Sequence, residues 1–316
     1  MLAIMDDRVE LSHLRQVTRG HARHEHPVFS PDGASIAYYA GTFGYLQIFV
    51  VSEDGRDERP LTCERGNHTQ PSWSPDGRWI FYRRQENADA PWQLWRVEVA
   101  DPANKQRLLA HRKVSFKHPS PSPDGRALAW FSDEGSPGNF HLWRARLDKD
   151  GKLGARQQLT SDENRNDCHP TWSPDGTRLA FHAYMGREEA TVSHIFVCDR
   201  DGRGARQLTD APAMHKHPFF VGVDALVHHT EEVDGRRYLS LRRARDGELI
   251  AKLTGGRKND KHPSPWLPAR GPARLCFASK KRGPEDDDEA SSYDIFWGLL
   301  EGFTVKRRPR GARGRR

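Results

Sequence analysis

A histidine or glutamine stands immediately before each of six prolines that recur along the chain at intervals of about 44 to 51 residues. These pre-proline residues are His26, Gln70, His118, His169, His217 and His262. Five of the sixteen histidines therefore occupy one position of a repeat. A neutral imidazole can bind a metal ion or hydrogen-bond a ligand, so this position is where the sequence concentrates its chemistry.

Strand periodicity predicts a second set of residues on the same side of each strand. Residues two positions apart share a face, and the small residues that follow the prolines suit a crowded central channel. The second set comprises His24, His68, Phe116, Asp167, His215 and Asp260. We therefore expect two stacked rings at one mouth of the channel. Their histidines and carboxylates are candidate ligands for a divalent ion such as manganese, zinc, iron or nickel.

Three interpretations of the histidines stay open at this stage. A ring of six strands has a radius of about 10 Å, and an imidazole that reaches inward by about 6 Å stops roughly 4 Å from the axis. A metal–nitrogen bond is only ~2.1 Å long, so a central ion cannot contact all six residues, whereas three from one side could hold it. The alternatives are a metal-free ligand site and histidines that only hydrogen-bond the neighbouring backbone.

Turn motifs in the sequence mark the strands that position these residues. After each of the first four prolines, a Ser-Pro-Asp-Gly turn leads into an alternating apolar strand, as in residues 172–181. A third strand follows, and five of the repeats also contain a short fourth strand that ends in Leu-Thr or a similar pair. The second strands are predicted at residues 36–40, 79–84, 127–132, 178–183, 225–230 and 274–279.

Only five repeats contain their own fourth strand. The missing one matches Leu14–Thr18 at the start of the chain, with Phe303–Val305 as a competing candidate for the same place. The sequence thus predicts an all-β fold: a six-bladed β-propeller of four-stranded antiparallel blades, closed by the N-terminal strand. We expect residues 1–305 to form this single domain and residues 306–316 to form a disordered basic tail.

Charge and cysteine content limit the function classes. The net charge of +7 equals that of the seven Lys and Arg residues in 306–316, so the remaining chain is neutral and only the tail argues for nucleic-acid binding. The four cysteines have no metal-site spacing. No apolar run has membrane-spanning length, and the start lacks a secretory pattern. We expect a cytoplasmic monomer, or a periplasmic one if the true start lies upstream.

The repeats resemble a known family. Phe29-Ser-Pro-Asp-Gly, Trp73-Ser-Pro-Asp-Gly and Trp172-Ser-Pro-Asp-Gly, with their flanking strands, look like the WD40-like repeats of the TolB-type β-propellers. Oligogalacturonate lyases are more distantly similar, and that resemblance implies manganese held by channel-mouth histidines during elimination across an acidic sugar. The related peptidases would require a GxSxG motif, which the sequence lacks.

These observations favour a non-enzymatic binding module that recognises a protein, small-molecule or carbohydrate ligand at the histidine-lined channel mouth. The sequence contains neither a nucleophile–base set nor a cofactor fingerprint. The rival hypothesis is a divalent-metal-dependent lyase that acts on a polysaccharide such as oligogalacturonate. No catalytic base can be assigned for it from the sequence.

Overall fold

The computed structural model describes residues 9–19, 23–42, 44–186, 192–256, 259–280 and 293–303. These residues form β-strands, turns and loops, and no helix is found among them. No described segment is therefore a helix that could cross a membrane. The predicted tail at residues 306–316 lies outside the described residues.

The strands are short and follow one another closely. In chain order they are β1 (Glu10–Gln16), β2 (Glu25–Phe29), β3 (Ser35–Thr42), β4 (Tyr45–Ser52), β5 (Arg59–Pro60), β6 (Asn67–Trp73), β7 (Trp79–Gln85), β8 (Gln93–Glu98), β9 (Lys105–Leu109), β10 (Phe116–Pro121), β11 (Ala127–Ser132), β12 (His141–Arg146), β13 (Gln157–Gln158), β14 (Arg165–Trp172), β15 (Arg178–Met185), β16 (Ser193–Asp199), β17 (Arg206–Gln207), β18 (Met214–Val221), β19 (Ala225–Glu231), β20 (Arg237–Arg243), β21 (Leu249–Lys252), β22 (Lys261–Trp266), β23 (Ala273–Lys280) and β24 (Tyr293–Glu301). The predicted second strands are confirmed to within two residues at either end.

Consecutive strands pair in antiparallel groups of four. The groups are β2–β5, β6–β9, β10–β13, β14–β17 and β18–β21, and one parallel bridge between Ser193 and Met214 joins the fourth and fifth. The last group contains only three consecutive strands, β22 to β24, and β1 adds to its outer edge by antiparallel pairing with β24. The N-terminal strand thus lies where a fourth strand lies in the other groups.

The Ser-Pro-Asp-Gly turns form as their residue types predict. In the second group, the Ser74 hydroxyl accepts a hydrogen bond from the backbone N–H of Trp79 at 2.8 Å and donates to the carboxylate of Asp76 at 2.5 Å. The backbone N–H of Gly77 donates to the Ser74 carbonyl at 2.9 Å, and Gly77 has a φ of +72°. Serine and aspartate thereby fix the hairpin that joins the first two strands of the repeat.

Apolar cores lie between neighbouring sheets. One core combines Ile48 and Leu61 of the first sheet with Ile80 and Val97 of the second, and equivalent cores follow along the chain. A further core joins Ile36 of the first sheet to Cys276 and Ile295 of the last. The face of each sheet is therefore covered by the next sheet, and the first and last sheets pack on each other.

Gly202, in a tight turn, allows the backbone of one sheet to approach the preceding sheet closely. Gly202 has a φ of +84°, and a Cβ at this position would press into the backbone carbonyl oxygen of Leu159 on the preceding sheet. We expect Gly202→Ala to lower the free energy of unfolding by about 3 kcal/mol, through backbone strain and the clash together. Urea unfolding followed by tryptophan fluorescence measures the loss.

Gly204 is a matched control two residues away. Its φ is +63°, but a Cβ there has no atom within 4 Å. Gly204→Ala should therefore cost only the backbone term of about 1 kcal/mol. Equal losses in the two variants would show that contact with Leu159 contributes nothing.

Candidate functional site

The six pre-proline residues share an unusual backbone conformation. Their φ angles lie between +48° at His118 and +56° at Gln70. At this point of every first strand the pairing register with the second strand shifts, so two residues oppose one. Each is therefore a β-bulge, with a left-handed residue followed by proline. Non-glycine residues adopt this region at an energetic cost, and such residues cluster at functional sites.

The bulge decides where these side chains lie. Regular strand residues point toward the two neighbouring sheets, because those sheets cover both faces. Apart from the single bridge between Met214 of β18 and Ser193, the first strand of each group pairs on one side only, so its other edge is open. A bulge residue departs from the alternation and can place its side chain at that open edge. The structure brings all six pre-proline side chains together in this way.

The cluster is tight. The rings of His26 and His262 stack with centroids 3.6 Å apart, and His217 lies 4.9 Å from His26 and 4.2 Å from His169. His118 lies 4.6 Å from His169. The rings of His26 and His169 are only 6.0 Å apart, so the side chains approach one another more closely than the ring estimate from the sequence implied.

A hydrogen bond within the cluster shows which ring nitrogen of His169 carries the lone pair. Gln70 Nε2 lies 2.6 Å from His169 Nε2, and His217 Nε2 lies 3.2 Å from the same atom. An amide nitrogen only donates, so the single lone pair of His169 Nε2 accepts from Gln70 and is not free to accept from His217 as well. His217 Nδ1 is buried and has no hydrogen-bond partner among the described residues.

The second set of residues does not join this cluster, so the prediction of two stacked rings is wrong. His24 donates from Nδ1 to the Tyr293 carbonyl at 2.8 Å and packs on Tyr38, between the first and last sheets. His68, Asp167 and His215 contact Gly66, Arg165 and Thr230 respectively. Phe116 is in the core between the second and third sheets, and Asp260 is buried in the same register. The bulge breaks the period of two, which directs these side chains toward the neighbouring sheets.

Residues on the second strands form a supporting layer that the sequence patterns do not reveal. In three repeats the second-strand residue that pairs with the residue just before the bulge lies against the cluster: His182 stacks on His169 at 4.8 Å, His229 on His217 at 5.0 Å and Tyr39 on His26 at 5.4 Å. Backbone N–H groups of the bulge residues donate to Nδ1 of His182 and His229. The corresponding residues in the remaining repeats are Arg83, Phe131 and Ala278. The sequence does contain one sign of this layer, because its six members occupy the same position in the repeat.

Burial keeps the imidazoles of the cluster neutral. It is the largest cause that lowers the pKa of His26, His169, His217 and His262 well below its ordinary value, and neighbouring imidazoles add to the effect. Burial, together with the nearby charge of Arg83, lowers the pKa of His118 to about 3. At neutral pH the cluster therefore presents nitrogen lone pairs rather than positive charges.

One subset of the cluster has the geometry of a metal-ligand group. His26, His217 and His262 each offer a ring nitrogen, and these nitrogens lie within 4.8 Å of one another. Their neutral state and the unpaired Nδ1 of His217 fit the requirements of a divalent cation that prefers nitrogen ligands. The three residues come from the first, fifth and last sheets.

A family model confirms the resemblance of the repeats. The model described as the TolB β-propeller domain matches residues 4–218. The chain belongs to the TolB β-propeller family. Over 203 residues it is 29% identical to the Tol-Pal system protein TolB of Anaeromyxobacter dehalogenans strain 2CP-1, which covers 64% of this chain and 32% of that protein. The chain thus spans about a third or less of the length of the curated relatives it matches.

Solved structures agree at the level of the fold. TolB from Acinetobacter baumannii superposes with a TM-score of 0.56 at 13% identity, over 89% of this chain and 64% of that one. An oligogalacturonate lyase in complex with manganese superposes with a TM-score of 0.59 at 13% identity, over 93% and 96% of the two chains. Because both proteins share the fold, the fold alone does not decide whether this TolB-family chain is an enzyme.

Proposed function

We propose that this TolB-family chain is a six-bladed propeller that acts as a binding module, with its ligand or partner recognised at the histidine-lined mouth of the channel. Six blades follow from the five groups of four strands and the last group completed by β1. The packing of the first sheet on the last supports a closed ring. In this architecture the open edges of the six first strands surround the axis.

The convergence of six pre-proline side chains in left-handed backbone conformations carries this proposal. Each such residue costs folding free energy of about 1 kcal/mol or more, so the arrangement is one that a purely structural role would not require. The cluster also contains no activated nucleophile. Cys168 lies directly before His169, but burial raises the pKa of its thiol, which stays protonated and unreactive.

The test compares ligand and partner capture by the parent protein and by a His118→Ala, His169→Ala, His217→Ala variant. We expect bound molecules recovered with the parent to be lost from this variant. His111→Ala removes an exposed histidine outside the cluster and should leave binding unchanged. If the triple variant stays folded and retains every bound molecule, the histidine mouth is not the binding surface.

The second candidate function is a divalent-metal-dependent lyase, and the His26, His217 and His262 group favours it. These three residues would hold the ion. A divalent cation at this position would supply Lewis-acid stabilisation of a negatively charged oxygen on the ligand. The residues of the chain would hold and orient that ligand in the mouth, and the supporting layer would keep the imidazoles in place.

Metal content gives a direct prediction. Protein purified without an affinity tag should contain about one first-row divalent ion per chain, and a His26→Ala, His217→Ala, His262→Ala variant should contain less than about a tenth of that. His68→Gln is the matched control, because His68 was a predicted ligand that the structure places away from the cluster. Elemental analysis by mass spectrometry measures all three proteins.

Two results would contradict the metal hypothesis: substoichiometric metal in the parent protein for every first-row ion, or equal metal in the triple variant. The lyase hypothesis needs one further assay, the formation of unsaturated uronate from pectic fragments with added manganese. Stoichiometric metal without any absorbance change would leave a metal-containing binding module.

A further inference from the structure

Two positive side chains at the mouth form no salt bridge among the described residues. Arg83 donates from Nε to the Thr69 hydroxyl at 2.8 Å, and its guanidinium lies 3.9 Å from the ring centroid of Trp92. Lys117 places its Nζ 4.0 Å from the ring centroid of Phe140. The charge of Asp133 acts on Lys117 without a salt bridge between them, and no described carboxylate acts on Arg83 in this way. Both side chains are half-buried. Aromatic faces stabilise a cation but do not neutralise it.

In two other repeats, the lysine at the position equivalent to Lys117 forms a salt bridge. Lys117, Lys216 and Lys261 all stand directly before a pre-proline histidine. Lys216 pairs with Glu231 at 3.3 Å, and Lys261 pairs with Glu25 at 2.7 Å. Each of these two lysines also lies over an aromatic ring, Tyr184 and Tyr293 respectively. The described part of the chain provides the same aromatic contact for Lys117, but no carboxylate within salt-bridge distance.

The two unpaired cations lie beside the histidine cluster on neighbouring sheets. Thr69, which orients Arg83, directly precedes Gln70, and Lys117 directly precedes His118. Lys117 also faces Phe131 across the strand pair, and Phe131 lies 5.2 Å from the ring of His169. Arg83 faces Thr69 in the same register of the preceding sheet. The positive charge is therefore concentrated on the second and third sheets, on one side of the mouth.

We propose that Arg83 and Lys117 form an anion subsite beside the histidine cluster, which binds a carboxylate or phosphate group of the ligand. Half-buried cations without counter-ions are costly, and an incoming oxyanion would offset that cost. Arg83 suits this role because its planar fork is already held by Thr69 and Trp92, so little side-chain freedom remains to be lost on binding. The inference rests on the proposed role of the mouth as a ligand site and adds the chemical class of that ligand.

The test is calorimetric titration of chelator-treated protein with two probes, inorganic phosphate and glutarate, at constant ionic strength. We expect at least one probe to bind saturably with a stoichiometry near one, and the one that binds distinguishes a phosphate from a carboxylate ligand. An Arg83→Gln, Lys117→Met variant should lose affinity by about tenfold or more. An Arg107→Gln, Lys152→Met variant removes the same charge from exposed residues and should bind like the parent.

A further variant separates this inference from the proposed function. The His118→Ala, His169→Ala, His217→Ala protein used for ligand capture should still bind the probe, because both cations remain, even if it has lost its natural ligand. Absence of saturable binding by the parent protein overturns the subsite. Equal affinity in the two charge-matched double variants, with thermal stability unchanged, overturns it as well.

Discussion

The chelator-treated protein is expected to be several kcal/mol less stable at pH 5 than at pH 7.5. Five buried histidines outside the pre-proline set contribute to this result. Burial lowers the pKa of His68 and His215 to about 4, and it lowers the pKa of His182, His228 and His229 well below its ordinary value. In the unfolded chain these side chains titrate near pH 6.5.

The direction follows from proton binding. Between about pH 6.5 and pH 4 the unfolded chain binds protons that the folded protein does not, so acid favours the unfolded state. At pH 5 a histidine with a folded pKa of about 4 costs about 2 kcal/mol, so His68 and His215 together cost about 4 kcal/mol, and His182, His228 and His229 act in the same direction. The cost of these two groups alone is close to the lower end of the stability of a typical domain, about 5–15 kcal/mol. Asp167 acts in the opposite direction, since burial raises its pKa to about 6, but it is one group against five.

The measurement is the free energy of urea unfolding at several pH values, followed by circular dichroism. The slope of this free energy against pH, between pH 6 and pH 5, should correspond to the uptake of several protons on unfolding. His215→Asn retains a donor near the Thr230 hydroxyl but removes one titrating group, so the slope should fall by about one proton. His111→Asn, at an exposed site, should leave the slope unchanged. A free energy that does not change between pH 7 and pH 5 would contradict the prediction.

Most of the fold was predictable because the repeat is encoded in residues with strict backbone requirements. Proline marks each first strand, and Ser-Pro-Asp-Gly marks the turn that follows it in four repeats. In the last two repeats that turn is absent, yet the apolar second strands at residues 225–231 and 273–280 form as predicted. Burial of alternating apolar residues between sheets was sufficient there.

The geometry of the site was only half predictable. Pre-proline histidines in one register indicate that six equivalent side chains share an environment, but the sequence does not show that each has a positive φ. That bulge directs His26 to the cluster and His24 to the packing between sheets, although both lie on one face in a regular strand. The supporting layer was missed because its members differ in chemistry, from Arg83 to His182 to Ala278. Only their register relates them.

Deletion of residues 1–18 should lower the stability by several kcal/mol, whereas deletion of residues 306–316 should leave the melting temperature nearly unchanged. Val17 is buried, and its backbone N–H donates to the Ile295 carbonyl at 2.8 Å. The backbone N–H of Ile295 donates in turn to the Thr18 hydroxyl at 2.9 Å. Loss of Val17, Leu11 and these hydrogen bonds should cost roughly 5 kcal/mol.

Equivalent hydrogen bonds occur at the end of the fourth group of strands. They supply a matched control for a point variant at Thr18. Thr209 accepts from the Ile195 N–H at 3.0 Å, and Leu208 N–H donates to the Ile195 carbonyl at 2.7 Å. Thr18→Val and Thr209→Val should therefore each cost about 1–2 kcal/mol, because each leaves a buried N–H without its acceptor. If Thr18→Val has no effect while Thr209→Val is destabilising, or if deletion of residues 306–316 is the more damaging truncation, the C-terminal segment rather than the N-terminal strand completes the last blade. Equal losses in the two threonine variants would indicate that the N-terminal strand stabilises the last sheet as much as a fourth strand stabilises a sheet formed from one continuous stretch of chain.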